Sequence, residues 1–326
     1  MLLIHILYSH KIISKIYLNP IRHQISDVGG IIILSDFTYG VLSGIASSLL
    51  FSLNTVITRR GVYEGNVFEA VAYATLFGIP MFFTSAYLAG EIGFLLNPKI
   101  EFIMIFIMAG ILHFILGRYL YYKSIHLSGA TIATPIVTLT QVFAVIFAFI
   151  LLGEEVDILK GIGIILSLSG ITYISLSHLR EVRYIKGILI GLSTTLVFAA
   201  STNLVRYGLT IAPYPHTGLF ISYLASAPTL ISFKIHKDRI SNVDSETRKY
   251  LIYSGVTVNL GQMFRYIALA FIGVTVLSPL YGIMPIEVLL LSYLIIRRYE
   301  RLTKEVIISN IIVSIGVLLV ILSGYV

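Results

Sequence analysis

GRYLYYKSIHLSGATIATP, residues 117–135, and GQMFRYIALAFIGVTVLSP, residues 261–279, are two copies of one pattern. Each opens on Gly (Gly117, Gly261) and carries a Tyr (Tyr122, Tyr266), a Gly (Gly129, Gly273), a Thr (Thr131, Thr275) and a closing Pro (Pro135, Pro279). The offset is 144 residues (261 − 117), close to half of the 326-residue chain. Upstream, Gly40, Gly44, Phe51, Arg59 and Gly61 recur as Gly187, Gly191, Phe198, Arg206 and Gly208, at an offset of 147 (187 − 40). Downstream, the apolar run after each copy ends on an acid, Glu154 or Glu300. A small residue (Gly163, Ser309) and then a Gly (Gly170, Gly316) follow at matching distances. A duplication of this period means that the chain is built from two related units.

Composition says where those units reside. The chain is 57% hydrophobic and 12% charged, with a mean hydropathy of +0.91, whereas a soluble domain carries roughly 25% charged residues. Most of the surface must therefore face lipid or other helices, and the chain reads as an all-α polytopic membrane protein. A crossing needs about 20 mostly apolar residues. The sequence offers ten such runs, at 37–58, 68–89, 102–122, 130–152, 158–178, 184–205, 217–235, 250–271, 274–296 and 305–325. The breaks between them are short and polar, the longest at 234–249, and leave no room for a soluble domain. Five runs fall in each unit, 37–179 and 183–326. Five is odd, so the second unit enters the bilayer in the opposite sense, which predicts a pair of inverted five-helix repeats. Residues 1–36 have neither the basic start nor the cleavage site of a signal peptide. They read as a dispensable N-terminal extension.

Two five-helix units, each with this Gly…Tyr…Gly…Thr…Pro stretch, then an apolar helix and an acid, resemble EamA-type members of the drug/metabolite transporter superfamily. LLGE at 151–154 and GIGIILSLSG at 161–170 carry the resemblance in the first unit. The resemblance covers residues 37–325. It implies a secondary transporter for a small metabolite, with both termini in the cytoplasm. The chain departs from the pattern at several places. Phe51 and Ser52 stand where members often have Trp-Gly, and Glu155 follows Glu154 where an apolar residue is usual. RRYE at 297–300 replaces LLGE, and Gln141 holds a position that Pro285 keeps in the second unit.

An ionisable side chain inside a bilayer costs about 2.5–3.5 kcal/mol on insertion scales, so each one needs a reason. Glu287 falls near the middle of the ninth run and Arg265 within the eighth. Arg118 and His113 lie in the third, and Glu69 near the start of the second. Glu287 has two readings: it binds a cationic substrate group or a driving proton, or it pairs with Arg265 and only fixes packing. Arg118 and Arg265 have the geometry to hold a substrate carboxylate or phosphate, though Arg118 also has the reach to snorkel to the interface. His113 is either a titrating group or a hydrogen-bonded packing residue. Asn54, Asn203 and Gln141 either line a cavity or bond helix to helix. Pro135, Pro279 and Pro285 are hinge candidates. Pro285 is the deepest of them, and the other two also suit a first helical turn.

Several functions are excluded by what is missing. Without cysteine there is no thiolate metal site and no disulfide. There is no phosphate-binding GxxxxGK[ST] loop, no HExxH and no GxSxG, which argues against an ATP-driven pump and against the common proteases. No enzyme activity, cofactor or metal is expected. The +7 charge lies at helix ends, where it sets topology rather than binding nucleic acid. The breaks after odd-numbered runs hold Arg59, Arg60, Arg180, Arg183, Lys234 and Arg297, among others. The positive-inside rule then puts both termini outside, opposite to what the resemblance implies. The expected partners are the lipid bilayer of the cell membrane, a small polar substrate such as an amino acid, and a proton or counter-substrate. The alternatives are a nucleotide-sugar or phosphorylated-metabolite exchanger and a non-transporting scaffold.

Overall fold

The structure is a computed structural model that describes residues 36–140, 142–143, 158–177, 182–212, 214–231, 244–271, 277, 280–300 and 302–322. These residues are mostly helical, with no strand among them. In chain order the helices are α1 (Asp36–Glu64), α2 (Val67–Leu88), α3 (Ile100–Ser128), α4 (Ala130–Thr138) and α5 (Ile158–Ser177). The second unit supplies α6 (Val182–Ile211), α7 (Pro215–Ala225), α8 (Ser245–Phe271), α9 (Met284–Ile295) and α10 (Lys304–Leu322). Among the described residues four stretches are long and apolar enough to cross a membrane: Thr38–Glu64, Val67–Leu88, Ile100–Ser128 and Val182–Leu209.

The duplication is visible in the packing. α1 lies along α8, and its counterpart α6 lies along the end of α3. α2 packs on α8 as α7 packs on α3, while α5 and α10 pair with each other. The contacts repeat down to single residues. A Cβ on Gly117 would sit 2.5 Å from the ring of Phe198, and one on Gly261 would sit 2.9 Å from the ring of Phe51. Both partners are themselves repeat equivalents. The glycine that opens each copy of the pattern is the bed on which the other unit's phenylalanine rests.

The stretch between α3 and α4 is fixed across the two units. Gly129 turns the chain at φ 94° and ψ 163°, a region that an L side chain rarely enters. The free amides at the buried start of α4 are then capped by Glu300 from the other unit. Its carboxylate accepts from Ala130 N at 2.8 Å, Thr131 N at 3.2 Å and Thr131 Oγ1 at 2.6 Å. A negative group is favoured at a helix start by both the free amides and the dipole. Glu300 also pairs with Arg59 Nε at 2.9 Å, with the two side chains only 1% and 8% exposed. Arg59 spends its other donors on the carbonyls of Ile125, His126 and Tyr299. A buried pair is tolerable when the remaining donors are satisfied in this way.

Pro135 lies inside α4, at its sixth residue. Its missing N–H releases the carbonyl of Thr131, and Asn310 on α10 donates to that oxygen at 2.9 Å. The proline is therefore part of a finished joint.

Two expected boundaries are corrected. The polar stretch after residue 58 is not a break: α1 continues to Glu64. The helix can continue because Arg59 and Arg60 find partners along it, Arg60 with Glu64 at 3.4 Å and Glu246 at 3.5 Å. The ninth helix does not run unbroken to Glu287 either. Residues 280–282 are helical, Ile283 is a turn, and α9 starts at Met284. Pro285 and Glu287 therefore occupy the first turn of α9 instead of its middle. A proline is at home there because the amide it lacks would have had no partner.

Candidate functional site

The middle of α3 sets up the site. Residues Ile111–Gly117 form a π-helical turn between two α-helical halves, a local widening often found at functional positions. It carries His113, whose ring stacks on Phe198 with centroids 4.4 Å apart. α7 comes so close that a Cβ on Gly110 would meet the backbone of Ser222. Ser222 Oγ donates to Phe106 O at 2.8 Å, and Ser201 Oγ donates to Ala109 O at 3.3 Å.

Between α3, α6, α7 and α8 these side chains line a small, partly open pocket of about 20 Å³ on the measure by which a single water needs about 10–15 Å³. Its walls are Ala109, His113, Phe114, Ser201, Thr202, Val205, Ser222, Gln262 and Arg265. Arg265 is the charged wall. Its Nε is buried and has no hydrogen-bond partner among the described residues. A guanidinium N–H left without an acceptor costs about 1–3 kcal/mol or more, so the position calls for an acceptor.

Arg118 lies just behind the wall and is 3% exposed. It donates from Nη2 to the Tyr223 hydroxyl at 2.8 Å and stacks 4.8 Å from the Phe114 ring centre. Its Nη1 has no partner among the described residues. It is thus held inside the protein by α7 rather than directed to a lipid interface. His113 lies within electrostatic reach of both arginines.

A second polar patch joins α1 to the start of α9. Glu287 is half-buried, and its Oε2 lies 2.8 Å from Ser48 Oγ and 2.6 Å from Ser52 Oγ. Ser48 Oγ is also 3.0 Å from Leu280 O. Next to Leu280, Tyr281 meets Ser47 Oγ at 2.8 Å, and Ser47 donates to Gly261 O at 2.8 Å. Tyr281 is within electrostatic reach of both Arg265 and Glu287. Glu287 and Arg265 do not form the ion pair that one reading of the sequence allowed. Glu287 has hydroxyl neighbours instead, and no ion pair joins the two among the described residues.

The amides separate into two groups. Gln262 lines the cavity. Asn54 is committed to helix packing: it donates to Ser254 O at 2.7 Å, and its Nδ2 is 3.1 Å from Thr257 Oγ1. The side chain of Asn203, and Gln141 and Pro279 altogether, lie outside the described residues. Glu69 is buried at the start of α2, within electrostatic reach of Arg248 and away from the cavity. The serines and threonines of the walls, with Tyr223 and Tyr281, carried no individual signal in the sequence. For α1 a signal was present in the spacing of Ser48, Ser52 and Thr55, three to four residues apart on one helical face.

The EamA-like transporter family matches this chain twice, over residues 38–176 and 185–322. The chain belongs to that family: it is a membrane protein of the drug/metabolite transporter superfamily, built from two EamA repeats. No curated protein matches its sequence. A protein of known crystal structure is similar in fold, at a TM-score of 0.58 and 15% identity, covering 88% of this chain and 99% of that one.

Proposed function

We propose that this protein is a secondary transporter of the cell membrane. It carries a small polar metabolite with a carboxylate group, an amino acid or a related compound, by alternating access between two inverted five-helix repeats. The observation that carries the reading is Arg265, a cavity wall whose buried Nε has no protein acceptor. A substrate carboxylate is the acceptor that completes it. Gln262, Ser201, Thr202 and Ser222 add neutral hydrogen-bonding groups around the same space. Selectivity then comes from Arg265, whose unpaired N–H rejects any ligand unable to satisfy it. With no nucleotide-binding loop in the sequence, movement draws on a gradient or on exchange.

A doubly charged phosphate would call for both arginines at the wall. Arg118 is tied to Tyr223 and Phe114 behind it, which favours the singly charged group.

Thermal unfolding of the purified protein with metabolites offered as acid and amide pairs tests the reading. A ligand at a hundred times its Kd stabilises by about 2.7 kcal/mol. At least one acid should raise the melting temperature where its amide does not, and Arg265→Gln should abolish that rise. Stabilisation that ignores the carboxylate, or that survives Arg265→Gln, would refute it.

A further inference from the structure

The protons around Glu287 can be counted. Three oxygen contacts meet there: Ser48 Oγ to Leu280 O at 3.0 Å, Ser48 Oγ to Glu287 Oε2 at 2.8 Å, and Ser52 Oγ to the same Oε2 at 2.6 Å. A hydroxyl has one proton to give, and a carbonyl or an ionised carboxylate has none. With Glu287 ionised, Ser48 and Ser52 bring two protons to three contacts, and Ser48 faces two acceptors. With a proton on Oε2 the set closes. Glu287 donates to Ser48, Ser48 donates to Leu280 O, and Ser52 donates to Glu287.

We propose that Glu287 is the site of a coupling proton and that Ser48 is the positioning residue that transmits its presence to the break before α9. The proposal rests on the transporter reading above and adds the driving ion to it. One proton leaves Glu287 for water. The carboxylate formed then draws the Ser48 hydroxyl to itself, and Leu280 O loses its donor. Leu280 is one of the helical residues 280–282, which the turn at Ile283 separates from α9. Its next residue is Tyr281, which holds Ser47 and feels the charge of Arg265. A change at Glu287 therefore has a short route to the cavity.

Few other charges compete for the role. α9 packs on α1, α4 and α10. α4 has no titratable residue. On α1, Arg59 and Arg60 lie seven or more residues beyond Ser52, about 10 Å along the helix, and both are engaged in ion pairs. Asp36, Tyr39, Tyr63 and Glu64 lie toward the ends of α1, and Lys304 and Glu305 open α10. Tyr293, Arg297, Arg298 and Tyr299 lie at the far end of α9 and in the turn beyond it. The first-turn amides of α9 welcome a negative charge, whereas the hydroxyl count favours a proton. Neither form is locked, as a reversible proton site demands.

Infrared difference spectra of the purified full chain test the proposal without a known substrate. Wild type minus Glu287→Gln should show a protonated, hydrogen-bonded carboxyl band near neutral pH that disappears reversibly as the pH is raised. Ser48→Ala should shift the frequency of that band, because its hydrogen-bond acceptor is gone, and Ser48→Thr should restore it. The second measurement is counterflow of a panel of L-amino acids in proteoliposomes with and without an imposed pH gradient. Wild type should be driven by the gradient, and Ser48→Ala should keep counterflow while losing at least about tenfold of the driven uptake. The proposal is overturned if no band belongs to Glu287, or if the band and the driven uptake ignore Ser48→Ala. Counterflow that is indifferent to pH would overturn it and leave the transporter reading standing. Counterflow absent for every amino acid would instead count against the transporter reading, with the infrared result still deciding the fate of the proton site.

Discussion

Replacing Gly129 by alanine should be among the most damaging single-methyl changes in this protein. Two costs add. The backbone at φ 94° and ψ 163° lies in a region that is essentially reserved for glycine, at about 1–3 kcal/mol for any other residue. The new Cβ would also lie 2.7 and 2.9 Å from the two carboxylate oxygens of Glu300. That carboxylate cannot simply swing away. It is pinned by Arg59 at 2.9 Å and by the Ala130 amide and Thr131 hydroxyl at 2.8 and 2.6 Å. Giving up one such charge-assisted hydrogen bond costs about 1.5–3 kcal/mol. The sum is about 2.5–6 kcal/mol. At the soluble-protein scale of about 2–4 °C per kcal/mol, the melting temperature should fall by roughly 10 °C. The assay is thermal unfolding in detergent, with Gly93→Ala as control because nothing lies within 4 Å of a Cβ there. A Gly129→Ala protein that melts within a degree or two of wild type would refute the argument. Either the turn is relaxed in solution or Glu300 does not cap α4.

The paired glycines give a test of the repeat. Gly117→Val and Gly261→Val each push a side chain into the other unit's phenylalanine. Both should lower stability by similar amounts, about 1–3 kcal/mol for overpacking, and a large loss at one with none at the other would deny the equivalence. Glu91 supplies a pH prediction from outside the spans. It is buried beside the start of α7, accepts from Thr217 N at 2.9 Å, and burial pushes its carboxyl from 4.5 up to about 7. A carboxyl raised on folding contributes stability that is complete below its unfolded value and is lost as the pH climbs through the folded one. Stability should therefore decline between pH 4.5 and 7, by at most about 3 kcal/mol. That decline should vanish in Glu91→Gln, and unfolding scans across this range in both proteins would show it.

The architecture was legible because it depends on features that repeat. Apolar runs at helical length, and a glycine and a phenylalanine returning at constant offsets, need no three-dimensional information to be seen. Family membership follows from the same repeats. The recurring acid was visible as well, but its task was not: Glu300 caps a helix of the other unit, and no local pattern announces a partner 170 positions away. The site was legible in part. Buried charges attract notice because they are expensive, and Arg265, Arg118, His113 and Glu287 all stood out for that reason. Their grouping was not readable. Arg265 turned to the cavity while Glu287 met two serines, because the break at Ile283 moved Glu287 to a helix start. Hydroxyl side chains such as Ser48 and Ser222 are cheap to bury when they bond a neighbouring carbonyl, so composition gives them no prominence. For Asn54 the sequence left a cavity role and a packing role open, and it bonds α8, the ordinary fate of an amide between two packed helices.

The cavity at Arg265 is the centre of the account, and the absence of cysteine from the chain makes it directly accessible to experiment. A single cysteine at Thr202, a wall residue across from no other thiol, should react with a hydrophilic maleimide. A carboxylate metabolite that stabilises the protein should slow this reaction, and its amide should not. In membrane vesicles of opposite orientation the same cysteine should be reachable from each side in turn, with the carboxylate shifting the balance. Labelling from one side only, or labelling that no carboxylate alters, would contradict the claim that this space is the substrate path.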